Sequence, residues 1–345
     1  MSEPPSPLWL DIYGYRVTVR SAVCSVLDNL AQDFAFFRTE GPLPDSNEIE
    51  LLQEEPPYDE APHAKAMVYT PRNVSYRNGS KTLIDYSGRA LGIHDAASGS
   101  FRLFSLDLDL LYEAAYLFVL SQCGEGLDAR HLHRVHALGV SVDDCAALVL
   151  LPMGGGKSTL AAALLRHGEI ALLSDDSPLI DSKGDVHAFP LRLGLMPGSE
   201  GKIPPGHLRR INRMEFGPKF LVNYAYFADR VRPRAEPCLL FLGERSLAAN
   251  CTIRPATTTA ALRAMLANCV VGLGLFQGME FIFHRGPGEV FRKAGVAWAR
   301  LRASWRLLRR STKYHLVLGR DPAANAQMVV DVLTSAADAA RRKKT

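Results

Sequence analysis

The stretch Leu148-Val149-Leu150-Leu151-Pro152-Met153-Gly154-Gly155-Gly156-Lys157-Ser158-Thr159 constrains this chain more than any other. An apolar strand runs into three glycines, then Lys-Ser-Thr, then a segment rich in Ala and Leu. That is the layout of a cradle for nucleotide phosphates. Glycines let backbone N–H groups turn inward around phosphate oxygens, Lys157 neutralises β/γ charge, and the hydroxyl of Ser158 can ligate Mg²⁺. The following helix would point its positive end at the same anion. Leu160, Ala161, Leu164 and Leu165 recur at helical spacing, and Gly168 stands where a helix-terminating glycine belongs. The strict pattern carries a further glycine where this chain has Leu151.

A second pattern follows one helix later. Ile170-Ala171-Leu172-Leu173-Ser174 reads as a short strand that ends in Asp175-Asp176. Adjacent strand residues face opposite ways, so the two carboxylates can divide labour. One can hold Mg²⁺ and the other can take a proton from an incoming hydroxyl. Read alone, the pair would be a capping turn before Pro178; placed after the glycine loop, it reads as functional.

With these residues the chain resembles the HPr kinase/phosphorylase superfamily. His136, the strands Val135–Val142 and Cys145–Leu151, Lys157, Ser158, Gly168, Asp175 and Asp176 follow the family order and near-family spacing, over about residues 130–195. It is most similar to HPr-kinase-related proteins of peptide natural-product cassettes, such as lasso-peptide precursor kinases and the SynChlorMet cassette kinase-like protein. Leu-Leu-Pro before the glycines, Ser174-Asp175-Asp176-Ser177-Pro178-Leu179-Ile180 and Phe189-Pro190-Leu191-Arg192-Leu193-Gly194 carry that likeness. The glycine-rich signature of true HPr kinases downstream of the aspartates is missing.

The resemblance implies a mixed-sheet α/β (α+β) fold, with a phosphoenolpyruvate-carboxykinase-like P-loop kinase core. It implies an ATP- and Mg²⁺-dependent serine kinase acting on a peptide or small protein. Gly154, Gly155, Gly156, Lys157, Ser158 and Thr159 would bind the nucleotide. Asp175 would be the base, with His136 beside it and Lys157 also catalytic, and Ser158 and Asp176 would hold the metal. The assignment between the two aspartates stays open. So does His136, which could instead be an ordinary strand histidine or one of a His131/His133/His136 metal cluster, although that spacing fits no standard zinc site. Two other classes remain: a small-molecule phosphotransferase on the same cradle, and a non-catalytic protein that binds nucleotide or a leader peptide. Family members are often hexamers, which makes a homo-oligomer an expectation here.

At 345 residues with 47% hydrophobic content the chain is long enough for two subdomains. Its six cysteines are scattered without pairing spacing, and no signal peptide is visible, which leads to the expectation of a reduced cytoplasmic protein. No run reaches the ~18 apolar residues of a membrane span; Val270 to Phe283 comes nearest. Net charge is only +4 but unevenly spread. Residues 40–60 hold eight acids and no base, while residues 291–320 hold nine bases and no acid. In the latter, Ala294, Trp298, Leu301, Trp305 and Leu308 predict one apolar face docked on a sheet, with the arginines in solvent. A docking site for an acidic peptide is the alternative; nucleic acid or a membrane surface is a weaker one.

The organisation expected is an N-terminal accessory α+β domain over 1–125, a kinase core over 126–320, and a C-terminal helix with a basic tail over 321–345. In the first, Leu8–Val19 reads as a strand pair around Gly14, Ala22–Phe37 as helix, Lys65–Phe104 as a meander and Leu106–Gln122 as helix. In the core, Leu179–Ile180 and Val186–Phe189 read as a hairpin, Glu236–Leu242 and Tyr314–Leu318 as strands. A cation over the γ-phosphate would come from Lys202, Arg209, Arg210, Arg213, Lys219, Arg230, Arg232 or Arg234, with no basis for choosing.

Overall fold

A computed structural model describes residues 5–198, 203–213, 217–271 and 287–344. Lys202, and most of the Val270–Phe283 run, lie outside them. The fold is mixed, with α-helices and three sheets of parallel and antiparallel strands. The chain divides into two units, residues 1–123 with 196–223, and residues 124–195 with 224–345. Residues 196–223, read above within the core segment, cluster with the first unit.

The first unit opens with β1 (Leu8–Ile12), β2 (Tyr15–Ser21), α1 (Cys24–Asp33) and β3 (Asn47–Leu52). It continues through β4 (Ala66–Tyr69), β5 (Val74–Asn78), β6 (Lys81–Asp85), β7 (Leu91–Asp95), β8 (Ser100–Phe104) and the first part of α2 (Leu108–Ala129), which from Gly124 onward belongs to the second unit. One eight-stranded sheet takes the order β1-β2-β3-β8-β7-β6-β5-β4. The meander from β4 to β8 is antiparallel, and its turns fall at Asn78-Gly79, Ser87-Gly88 and the Ser98-Gly99 step. Alternation along β1 to β3 buries Leu10, Ile12, Val17, Val19, Ile49 and Leu51, and α1 contributes Val26, Leu27 and Leu30.

In the second unit, β9 (His133–Arg134), β10 (Leu138–Val142) and β11 (Cys145–Leu150) precede the glycine loop. Then come α3 (Lys157–Leu164), β12 (Ala171–Ser174), β13 (Leu179–Ile180), β14 (Val186–His187) and β15 (Leu193–Leu195). The chain visits the first unit for the hairpin β16 (Leu208–Arg213) and β17 (Gly217–Val222). It returns through β18 (Arg234–Arg245), β19 (Thr252–Pro255), α4 (Thr258–Met265), a π-helical turn at Leu266–Val271, α5 (Pro287–Arg310), β20 (Thr312–Leu318) and α6 (Pro322–Lys344).

Every residue of β10 and β11 is buried, as expected for central strands without a polar face. β10 and β11 form an antiparallel hairpin around Asp143-Asp144, β12 pairs antiparallel with β10, and β18 lies parallel to both β11 and β20. β12 and β11 thus flank β10, and Asp175 and the glycine loop leave the sheet at the same end. That arrangement makes a site possible.

α5 docks by a different face from the one its aromatic residues predicted. Arg300, Ala303, Ser304, Leu307 and Leu308 are buried, whereas Trp298 and Trp305 are exposed. Arg306 donates to the carbonyl of Ser182, and Arg310 to the Asp185 carboxylate at 2.5 Å, fixing the helix to the β13–β14 turn. No described helix is long and apolar enough to cross a membrane.

Candidate functional site

The glycine loop needs its glycines for separate reasons. Gly154 (φ 73°) and Gly156 (φ 97°) occupy the left-handed region. Gly155 has no such torsion, but a Cβ there would lie 2.8 Å from the Pro152 carbonyl oxygen. Gly156 is the N-cap of α3, and no side chain caps that helix, in contrast to α4, where Thr257 accepts from the Ala260 N–H at 3.2 Å. First-turn N–H groups have no intrahelical acceptor, so the start of α3 is provided with donors suited to an anion.

Leu151 replaces the leading glycine without opening the fold. Its side chain is buried and fills the space beside Gly243 of β18, where an added Cβ would meet Leu151 Cδ2 at 2.6 Å. The large side chain after β11 thus faces a glycine on the neighbouring strand β18.

Lys157 opens α3 and is buried. An ammonium has three protons, and three acceptors stand around it: His136 Nε2 at 2.7 Å, the Leu151 carbonyl at 3.0 Å and Asp176 Oδ1 at 3.5 Å. With Lys157 as the ammonium, Nε2 of His136 is the acceptor in this pair. Burial lowers the Lys157 pKa, and the negative charges of Asp176 and Asp175 oppose that shift without cancelling it.

His136 is held by the backbone on both sides. Val135 and Ala137 donate to the carbonyls of Pro178 and Asp176, and the His136 N–H donates to the Asn268 carbonyl at 2.9 Å. Asn268 lies in the π-helical turn, a conformation found often at functional sites. Arg300 supports this turn from α5, donating to the carbonyls of Cys269 and Val270 at 3.3 and 3.2 Å while paired with Asp128. Neither Asn268 nor Arg300 was singled out from sequence.

The two aspartates lie just past the end of β12 and have different surroundings. Ser174 Oγ accepts from the N–H of Ser177 at 3.0 Å and turns the chain after β12. Asp175 is buried and receives a long hydrogen bond from Ser158 Oγ at 3.4 Å. Asp176 is half exposed and sits 3.3 Å from His136 Nε2 and 3.5 Å from Lys157. Ser158 therefore neighbours Asp175, and His136 neighbours Asp176. His136, Lys157, Ser158, Asp175 and Asp176 are brought together at the start of α3, with Thr159 in its first turn, whereas Gly168 lies beyond the helix's other end.

Among the described residues no three His, Cys, Asp or Glu side chains gather as a metal cage. Two oxygens, from Ser158 and Asp175, suit Mg²⁺, which keeps several waters and takes phosphate oxygens for the rest. Neighbouring ligands of an octahedral ion at about 2.1 Å lie about 3 Å apart, close to the spacing here.

The basic residues expected over the γ-phosphate are largely committed elsewhere. Arg230 donates to the Leu165 carbonyl, Arg232 to Asp144 at the far end of β11, and Arg234 to Asp185. Arg209 pairs with Asp33 at 2.5 Å, within the first unit, and its guanidinium lies 5.2 Å from the Tyr112 ring centre. Lys202 and the side chain of Arg213 lie outside the described residues. Of the neighbouring histidines, His133 is buried against Asp128 at 2.8 Å and serves that pair.

These features define a mixed α+β chain with a glycine loop, a buried lysine and two divided carboxylates at one sheet end. No protein-family model matches the chain, and no curated protein sequence matches it.

Proposed function

We propose that this chain is an ATP- and Mg²⁺-dependent serine kinase of the HPr-kinase-related kind, with a carboxykinase-like P-loop core in its second unit. Its acceptor is the hydroxyl of a peptide or small protein. The observation that carries this reading is the convergence of Lys157, His136, Asp175, Asp176 and Ser158 around the uncapped start of α3.

Bound Mg²⁺ would supply charge neutralisation between phosphates, held by Ser158 and Asp175. Backbone N–H groups of Gly154–Thr159 orient the phosphates. Lys157 exchanges its acceptors at Asp176 and Leu151 for phosphate oxygens, which lets go of the Asp176 carboxylate. Asp176, beside His136 and half exposed, is then placed to accept the proton of an incoming hydroxyl. On this geometry the roles given to the two aspartates by the family resemblance are exchanged. Positioning and charge neutralisation supply most of the rate in such transfers.

The test is transfer from γ-labelled ATP with Mg²⁺ into a size-fractionated lysate of the protein's own source, with Asp175→Asn as control. Label in a peptide or small protein, absent with the variant, is the expected result. Label in a small metabolite, or bound ATP with no transfer, would replace this reading. The exchange of roles has its own check: Asp175→Asn should weaken Mg²⁺-dependent nucleotide binding, whereas Asp176→Asn should leave it and lower turnover by about 10²-fold or more.

A further inference from the structure

α5 carries an aromatic and arginine stripe that the fold leaves uncovered. Phe291 is 78% exposed, Trp298 61% and Trp305 45%. They recur every seven residues, and at about 100° per residue they share one face with Arg302 and Arg309, within about 60°. The opposite face is the one buried through Arg300, Ala303, Ser304 and Leu307. Arg306 and Arg310 are taken up by the β13–β14 turn, but Arg302 and Arg309 are exposed and have no partner among the described residues. Large aromatic side chains gain nothing from solvent, and a stripe of this kind on one helix is unusual for a surface that meets only water.

The chemistry of the stripe selects its occupant. Tryptophan and arginine dominate binding hot spots. The seven-residue spacing is that of a helix seam, so the partner presents a helix with apolar residues at i, i+3/i+4 and i+7. Arg302 and Arg309 stand within this stripe and residues 291–320 hold no acid, so that helix carries carboxylates beside its apolar stripe. We propose that this face of α5 docks an acidic amphipathic helix of the peptide acceptor, away from the serine to be modified. Naming the acceptor as occupant rests on the kinase reading; the charge and spacing argument does not.

The experiment uses the full chain without ATP. A fluorescein-labelled 14-residue peptide, with Leu at helical spacing and Glu at the other positions, is titrated by anisotropy against a Lys-for-Glu counterpart. The Glu peptide should bind, the Lys peptide should not, and affinity should fall several-fold between 0.1 and 0.5 M salt. Arg302→Glu with Arg309→Glu, and separately Trp298→Ala with Trp305→Ala, should each weaken binding at least tenfold. These side chains are exposed, so nucleotide affinity and circular dichroism should stay unchanged. Equal binding of both peptides, or binding unaffected by both double variants, would overturn the proposal. So would self-association abolished by Trp298→Ala, which assigns the face to a second copy, or binding to anionic vesicles alone. Repeating the titration with Lys157→Ala separates the two ideas: loss of phosphoryl transfer with peptide binding intact removes the kinase's chemistry, not the docking surface.

Discussion

Lys157 shows how a single residue can be costly to the fold and still central to the proposed site. Its ammonium is buried, and burial lowers its pKa against the pull of Asp176 and Asp175. A folded pKa below the ordinary lysine value of about 10.4 means that folding opposes the charged form. The cost is present below the folded pKa and fades as pH rises from there to the unfolded value. Lys157→Met should therefore leave the nucleotide-free protein as stable as wild type, or up to about 1 kcal/mol more stable, at neutral pH, while abolishing transfer. Urea unfolding of both proteins checks this, and a loss of several kcal/mol would contradict it. Asp176→Asn removes an attraction that raises the Lys157 pKa, so the Lys157 ammonium should titrate at lower pH. NMR of the ¹³C-methylated lysine in the ligand-free protein reads that shift directly; an unchanged or higher value would show that the pair is not coupled. Lys157, Asp175 and Asp176 were legible in the sequence because charge next to glycines and at a strand end has few structural uses. The pairing of Ser158 with Asp175 was not, because it depends on which way β12 faces.

At the scale of elements, β11, the glycine loop and α3 were readable from an apolar run, φ-permissive residues and helical spacing. Leu151 looked like a defect because the glycine it packs against lies on another strand, far along the chain. Gly243→Ala should place a Cβ against Leu151 and destabilise the second unit by about 1–3 kcal/mol. Adding Leu151→Gly should recover only part of that loss, because the Leu150 carbonyl would still lie 2.9 Å from the new Cβ. Full additivity of the two changes in thermal unfolding would show that they do not share a site. α5 illustrates the opposite failure. Hydropathy put Trp298 and Trp305 inside, and Arg300 outside, since composition cannot register that a buried arginine has found Asp128 and two carbonyls. The helix was predicted in the right place with the wrong face inward.

At the scale of the molecule, the second unit is tied together by one buried charge cluster that sequence periodicity could not reveal. Asp128 at the end of α2, His133 of β9, Arg300 of α5 and the π-helical turn meet there. Burial penalises the Asp128 carboxylate, and hydrogen bonds from His133 and Arg300 more than offset that, holding its pKa below the usual range. A depressed carboxylate pKa contributes stability that is present above the unfolded value of about 3.9 and is lost as pH falls through the folded one. Asp128→Asn should cost about 3–5 kcal/mol at pH 7, because Arg300 is left buried without its counter-charge. The gap from wild type should close below about pH 4, as the wild-type carboxylate takes its proton. Unfolding followed by amide exchange along α5 at pH 7, 4 and 2.5 measures it; a gap that persists or widens in acid would remove Asp128 as the source. The same variant reaches the site by a defined route. With Arg300 released, its hold on the carbonyls of Cys269 and Val270 weakens, and with it the turn whose Asn268 carbonyl accepts the His136 N–H. Faster exchange of the His136 amide in Asp128→Asn than in wild type, at a pH where both remain folded, would establish that the cluster positions the histidine as well as stabilising the unit.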